Sequence, residues 1–321
     1  MPPPLRIIML GTGDFALPPF DHLVDSGFPV VALVTQPDRP QGRKQELIPS
    51  RIKLSAQARG IPVEQPENVN APESLETIGG YSADLLVTAA YGQILSAGLL
   101  GLTPLGGINL HGSILPSYRG AAPVARAIER GETETGVTVI RMTPRIDAGG
   151  MLAFARTMID PNETAGELED RLAVIGAPLV AVIIGAIAEG TAKVLPQERS
   201  KVTKAAKLSK DDGWIDWTKP SQTIHNLIRA MQPWPAASTF WHRPNGSVRL
   251  IVHRSEVVAG DGPPGHVIEA TGDRLVVAAG ESAIRLLQVQ MVGKKPSPAV
   301  EFLRGHHPFG DLMGPATSNP P

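Results

Sequence analysis

Short β-branched apolar runs alternate with amphipathic stretches through the first half of the chain, the pattern of βαβ units around a mainly parallel sheet. The runs predict strands over residues 5–10, 30–35, 84–90, 107–110 and 136–142. Between them the spacing predicts helices over residues 15–26, 49–59, 96–100 and 122–130, then a long one over 164–188. Within that last helix, residues 172–188 carry no charge, a length at the short limit for crossing a bilayer. Gly176, Pro178 and Gly185 interrupt the run and an amphipathic lead-in precedes it, so it reads as a buried helix packed on the sheet. From 191 to 210 the chain turns polar, with Lys193, Arg199, Lys201, Lys204, Lys207 and Lys210 against Glu198, a net of +5. That segment reads as an exposed basic linker. Beyond it a helix over 220–231 precedes Pro233-Trp234-Pro235. Strands over 247–253, 266–269, 274–278 and 283–290 then follow, separated by turn residues such as Asn245-Gly246 and Gly272. Short strands at turn-marked intervals predict a small antiparallel barrel. The expected layout is a domain over 1–190, the linker, a second domain over 211–310 and a disordered tail over 311–321.

The length of 321 residues agrees with two domains. Lys and Arg number 30 against 31 Asp and Glu, so the molecule as a whole exerts no attraction on nucleic acid or an anionic membrane, and any polyanion must be held by local patches. The absence of cysteine excludes a thiolate nucleophile, a disulfide framework and cysteine-ligated zinc. The N-terminal MPPPLRIIMLG lacks the basic region of a secretory signal, and the expected location is the cytoplasm.

Four places could carry chemistry. The first strand ends in Gly11-Thr-Gly13-Asp-Phe-Ala16, a partial dinucleotide fingerprint for which Asp38 would be the ribose-binding acid. The same glycines would serve any tight strand-to-helix turn. Residues 35–53 carry Arg39, Arg43, Lys44, Arg51 and Lys53 against Asp38 and Glu46, which is either a solvated loop or a finger for phosphates. The third place, residues 108–124, is the most specific. Asn109 and His111 lie two apart at the C-terminal end of a strand, so both side chains emerge on one face, at the edge where open α/β sheets bind ligands. Gly112, Pro116 and Gly120 then shape a loop, and the next strand leads to Asp147 in a turn with Gly149 and Gly150. An amide N–H can stabilise an oxyanion, an imidazole can donate to it or move protons, and a carboxylate can orient the imidazole. Those are the parts that acyl transfer to an amine requires. No G-x-S-x-G nucleophile motif is present, so direct attack without a covalent enzyme intermediate is expected. The fourth place, His306-His307, has no third ligand and does not read as a metal site.

Several segments together resemble the methionyl-tRNA formyltransferases, a branch of the folate-dependent formyltransferase superfamily. They are RIIMLGTGDFA, VTQPDRPQGR, ADLLVTAAYGQIL, INLHGSILPSYRGAAPV, ETGVTVIRMTPRIDAGGML, KLSKDDGWIDW, IRAMQPWPAAS and VGKKPSP, in order through both domains. Two departures are Gly13, where the family usually has proline, and Thr143-Pro144-Arg145 ahead of the acid. The resemblance implies a Rossmann-like catalytic domain and an OB-like C-terminal domain. It implies transfer of the formyl group of 10-formyltetrahydrofolate to the α-amino group of methionyl-initiator tRNA for translation initiation, by a monomer and without a metal. It maps Asn109, His111 and Asp147 onto the catalytic trio and Ser113, Ile114, Leu115 and Pro116 onto the folate-binding stretch. tRNA contacts are expected from Arg39, Arg43 and Lys44, from Lys204 and Lys207, and from Lys294 and Lys295, with discrimination at the acceptor stem.

Two rivals remain at this point. A formyltransferase acting on a sugar-nucleotide amine would use the same trio but would have no need of a +5 linker feeding a barrel. A tRNA-binding module without catalysis would not need all three chemical positions filled.

Overall fold

Ile7–Gly11 (β1) is buried at every position, as a strand covered on both faces must be. It pairs in parallel with Val30–Val34 (β2) on one side and Leu85–Ala89 on the other. The computed structural model describes residues 4–41 and 46–315, which divide into two units. The first unit holds a seven-stranded sheet. With Val63–Glu64 as β3, Leu85–Ala89 as β4, Gly107–His111 as β5, Glu134–Arg141 as β6 and Met151–Met158 as β7, its order is β7-β6-β5-β4-β1-β2-β3. The β5–β6 and β6–β7 pairs are antiparallel and the rest parallel, the mainly parallel Rossmann-like sheet that the sequence predicts.

The predicted helices are present as Leu17–Asp25 (α1), Arg51–Ala58 (α2), Ala97–Leu100, Pro123–Glu129 and Ala165–Ala188. Besides the two-residue edge strand β3, two longer elements of this unit escaped the pattern. Pro72–Gly80 is a helix that buries only Ser74 and Ile78, and its clearest signal is a proline in the first turn. Strand β7 lies at the sheet edge; its side chains alternate in exposure from Ala153 to Met158, but the exposed set includes the apolar Phe154 and Met158, so residue type does not mark the alternation in sequence.

One face of the sheet buries Ile8, Leu10, Ala32, Val34 and Leu86 against Val69, Ile78 and Leu99. The helix Ala165–Ala188 is long and apolar enough to cross a membrane by length and composition. It buries Leu172, Ala173, Ala177, Val180 and Ile184, a helical stripe, and leaves Val174 and Val182 at 62% and 67% exposure. It is therefore buried along one side and exposed along the other, the apolar stripe packing on the sheet as expected. Gly176 faces the sheet, and a Cβ there would come within 2.6 Å of Leu110 Cδ2, so glycine permits the close approach of helix to β5.

The second unit contains a curled antiparallel sheet. Ala237–Arg243 (β8), Gly246–Val258 (β9), Val267–Thr271 (β10), Arg274–Ala278 (β11), Ala283–Met291 (β12) and Leu312–Gly314 (β13) run in the order β10-β11-β12-β9-β8-β13. Its two end strands meet through a bridge between His266 and Leu312, with Met313 N donating to Gly265 O at 2.7 Å. Closing the sheet removes its open edges. Strand β8 is masked in sequence by Ser238 and Thr239, which are buried; Thr239 Oγ1 accepts from Trp217 Nε1 at 3.0 Å. The expectation of a disordered tail from 311 is corrected at its start, because β13 pairs with β8 and fully buries Met313. One short strand among polar residues carries no periodicity to read. Residues 316–321 of that tail lie outside the described residues. His306 packs edge-on against Trp241 and tilted against Phe302, a packing role in which burial lowers its pKa.

Candidate active site

The parallel register of β4 on β5 sets Thr88 opposite Asn109. Thr88 is buried, and its hydroxyl donates to Asn109 Oδ1 at 2.7 Å, against 3.3 Å to the Ile108 carbonyl. With Oδ1 held as acceptor, Nδ2 is left as the donor of the amide, and among the described residues nothing accepts from that nitrogen. The side chain is thereby presented as a hydrogen-bond donor at the C-terminal edge of the sheet. Thr88 lies in an apolar strand, and no local sequence signal marks it.

His111, two residues on, is buried. Its Nε2 lies 2.9 Å from the carbonyl of Tyr118 and its Nδ1 lies 3.6 Å from Asp147 Oδ2. A ring nitrogen facing a carbonyl must carry the proton, so Nε2 is the N–H and Nδ1 faces the carboxylate. Both nitrogens therefore have protein partners. The open donor of the site is Asn109, and the His111–Asp147 pair is arranged for moving a proton. Asp147 Oδ2 also accepts from the backbone N–H of Gly120 at 2.9 Å.

Glycine makes the loops around this pair fit. Gly120 has φ +124°, and a Cβ there would meet the Ala205 carbonyl at 2.5 Å. A Cβ on Gly149 would lie 1.7 Å from the Arg141 carbonyl, and one on Gly150 2.2 Å from Val194. Residues after the helix Ala165–Ala188 thus fold back over the Asp147 turn. Most side chains of 191–210 are exposed, yet the segment is tied down: Leu195 bridges Met151, Tyr118 N donates to Thr203 Oγ1 at 2.8 Å, and Lys204–Ala205 pairs in parallel with Arg119–Gly120.

In the stretch 113–116, Ser113 is buried and its hydroxyl donates to the Ser117 carbonyl, while its own carbonyl accepts from Thr138 Oγ1. Leu115 is buried and its N–H donates to Thr138 Oγ1 at 3.1 Å. Ile114 and Pro116 are the partly exposed members, and a ligand would meet the stretch there.

The partial fingerprint at Gly11 resolves as a tight turn. A Cβ there would lie 2.5 Å from Ala16 Cβ, and a short 3-10 helix Asp14–Ala16 leads directly into α1. Asp38 is already engaged by Lys53 and Gln65, and the Lys53 hydrogen bond holds its carboxyl below the usual range. Arg39 pairs with Glu67 in solvent. Lys204 and Lys207 are exposed, the first on the strand beside Arg119, and Lys294 and Lys295 are exposed in the turn after β12. Arg43 and Lys44 lie outside the described residues.

Residues 5–182 match the formyl transferase family model, and residues 207–307 match that of the formyl transferase C-terminal domain. The methionyl-tRNA formyltransferase of Geobacillus thermodenitrificans is 43% identical over 302 residues, which span 94% of each chain. That of Stutzerimonas stutzeri is 43% identical over 296 residues, 92% of this chain and 93% of the other. Among solved structures, a sugar 3N-formyl transferase crystallised with dTDP and 5-N-formyl-THF has a TM-score of 0.65 at 19% identity, covering 91% of this chain and 99% of that one. HypX from Aquifex aeolicus in complex with tetrahydrofolic acid has a TM-score of 0.63 at 14% identity, covering 93% of this chain and 47% of that one. These two likenesses speak to the fold alone, whereas the family models and the near-full-length relatives decide the family: the chain belongs to the formyl transferases, in their methionyl-tRNA formyltransferase branch.

Proposed function

We propose that this chain transfers the formyl group of 10-formyltetrahydrofolate to the α-amino group of methionyl-initiator tRNA, in the cytoplasm and as a monomer. The observation that carries the reading is the 3.6 Å approach of Asp147 to His111, with Asn109 two residues back on the same strand, in a chain 43% identical to methionyl-tRNA formyltransferases over nearly its whole length. Catalysis is assigned to residues 1–190, and tRNA contact to the basic segment 191–210 and the barrel over 211–310.

The neutral methionyl amine attacks the formyl carbon; a C–N bond forms and the carbonyl π pair moves onto oxygen. Asn109 Nδ2 donates to that oxyanion, a role suited to a donor already oriented before charge develops. The proton leaving the amine passes to the His111–Asp147 pair. Collapse re-forms the carbonyl and breaks the bond to the folate nitrogen, which departs protonated, so the pair acts first as base and then as acid. For His111 also to donate to the oxyanion, it would have to give up Tyr118 O or Asp147. Ile114 and Pro116, with the backbone around them, are the groups assigned to the folate, and they suit a flat ring that is read by packing and backbone polar groups.

The test is transfer of a radiolabelled formyl group from 10-formyltetrahydrofolate to charged initiator tRNA, with charged elongator tRNA and sugar-nucleotide amines as competing acceptors. Initiator tRNA should be the preferred acceptor, and Asn109→Ala should lower the rate about 100-fold or more. Preference for the sugar-nucleotide amine would refute the reading. Binding of tRNA should weaken with salt, with Arg43→Ala or Lys204→Ala each lowering the log-log slope by about 0.7 to 0.9.

A further inference from the structure

The turn that carries Asp147 is held from outside itself. Asp147 has φ +47°, a left-handed conformation that is strained for a residue with a Cβ and persists where its surroundings over-determine it. Within the turn the supports are modest: Thr143 Oγ1 donates to Arg145 O at 3.1 Å and Ala148 N donates to the same carbonyl at 3.4 Å. The stronger grip comes from a residue fifty positions later. Gln197 Nε2 donates to the carbonyl of Asp147 at 2.8 Å and to that of Gly149 at 2.7 Å.

The orientation of the Gln197 amide is fixed by a third group. Its Oε1 accepts from Arg119 Nε at 2.9 Å and from Arg119 Nη2 at 2.7 Å. A flipped amide would set its NH₂ against a guanidinium and its oxygen against two carbonyls, losing all four bonds. Arg119 thus aims Gln197, and Gln197 pins both carbonyls that flank the catalytic turn. The same returning segment supports the other side of His111. Thr203 O accepts from Arg119 N at 2.9 Å, and Thr203 Oγ1 accepts from the N–H of Tyr118, whose carbonyl faces His111 Nε2. Gly120 N, which donates to Asp147 Oδ2, belongs to the two-residue strand paired with Lys204–Ala205.

We propose that Gln197 is a positioning residue for formyl transfer, holding the Asp147 turn so that its carboxylate faces His111. The inference rests on the reading of Asp147 as the acid that serves His111. It gives part of the basic segment a task beyond contact with tRNA: its residues 195–205 brace the machinery whose charged neighbours Lys201 and Lys204 face solvent.

Two variants test this. Gln197→Glu keeps a partner for Arg119 but replaces the N–H donors with an oxygen that opposes the two carbonyls; Gln197→Leu removes donors and acceptor without adding charge. Single-turnover formyl transfer should fall about 10- to 100-fold in each, the scale of a displacement near 1 Å at a reacting group. The KM values for charged tRNA and for 10-formyltetrahydrofolate should stay within about twofold: although Gln197 belongs to the segment assigned to tRNA, its uncharged side chain is spent on Arg119 and the two turn carbonyls, and the lysines of that segment are left in place. In an Asp147→Asn background, either substitution should cost almost nothing further, since what it positions is already gone. A wild-type rate in both Gln197 variants, alongside a slow Asp147→Asn enzyme, overturns the proposal. So does a loss of the same size with and without Asp147, or a loss that appears only as raised KM or lowered melting temperature. A fully active Asp147→Asn enzyme would instead overturn the reading of Asp147 itself, which separates the two failures.

Discussion

Replacing Thr88 with valine changes one atom type and almost no volume, which makes it a sharp probe of how Asn109 is aimed. Thr88 is buried, and its hydroxyl lies 2.7 Å from Asn109 Oδ1, the typical length of a good O–H···O bond. Such a bond contributes about 1 kcal/mol net, and more when its loss leaves the partner buried and unpaired. Asn109 is half-buried, so water can meet part of the need, and a loss of about 1 to 2 kcal/mol in holding the amide correctly is expected. At about 1.4 kcal/mol per factor of ten, the chemical step slows roughly 5- to 30-fold. Removing the donor altogether with Asn109→Ala should cost about 100- to 1000-fold, so Thr88→Val falls between that variant and the parent. Thr88→Ser restores the hydroxyl and should recover most of the rate. The assay is single-turnover formyl transfer under saturating donor, with melting temperature measured in parallel. A Thr88→Val enzyme at the parental rate, or one whose defect persists in full on top of Asn109→Ala, refutes the argument that this hydroxyl acts through the amide.

Other expectations follow from space and charge. Gly149→Ala puts a Cβ 1.7 Å from the Arg141 carbonyl and should destabilise the fold by about 2 to 3 kcal/mol, read as a lower denaturation midpoint. Gly185→Ala, with nothing within 4 Å, should leave stability unchanged or raise it by up to about 1 kcal/mol, since alanine favours a helix interior. Gly13 has φ −75° and an open surround, so Gly13→Pro should stabilise by about 0.4 to 1 kcal/mol in a urea titration while preserving activity. The guanidinium of Arg254, seconded by Thr164, lowers the Glu167 carboxyl from its ordinary 4.5 to about 2. A folded-state pKa below the unfolded one adds stability that is complete above about pH 4.5 and is lost as pH falls toward 2. The pair is partly exposed and solvent weakens it, so Arg254→Met should flatten the fall in urea midpoint between pH 5 and 3 only in part.

The Asn109 and His111 pair was legible because a strand alternates its side chains with period two, and a loop of Gly112, Pro116 and Gly120 marked where the strand ends. Asp147 was legible through its glycine turn. The parallel sheet followed from apolar runs alternating with helices, and the barrel from turn residues at regular spacing. Elements with weak patterning escaped: an edge strand with exposed apolar side chains, a strand with buried hydroxyls, and a three-residue strand in the tail. The linker's composition showed its exposure but not its attachments. Composition, period and turn chemistry are local properties, and what depends on them could be read along the chain: the class of fold, a division into two parts, and the three side chains proposed for acyl transfer. How those side chains are aimed depends on contacts between distant parts of the chain. Thr88 meets Asn109 across 21 positions, Tyr118 meets Thr203 across 85, and Gln197 reaches Asp147 across 50. Each of these bonds depends on strand register or on a segment folding back, and hydrogen bonding between distant residues leaves no periodic trace along the chain.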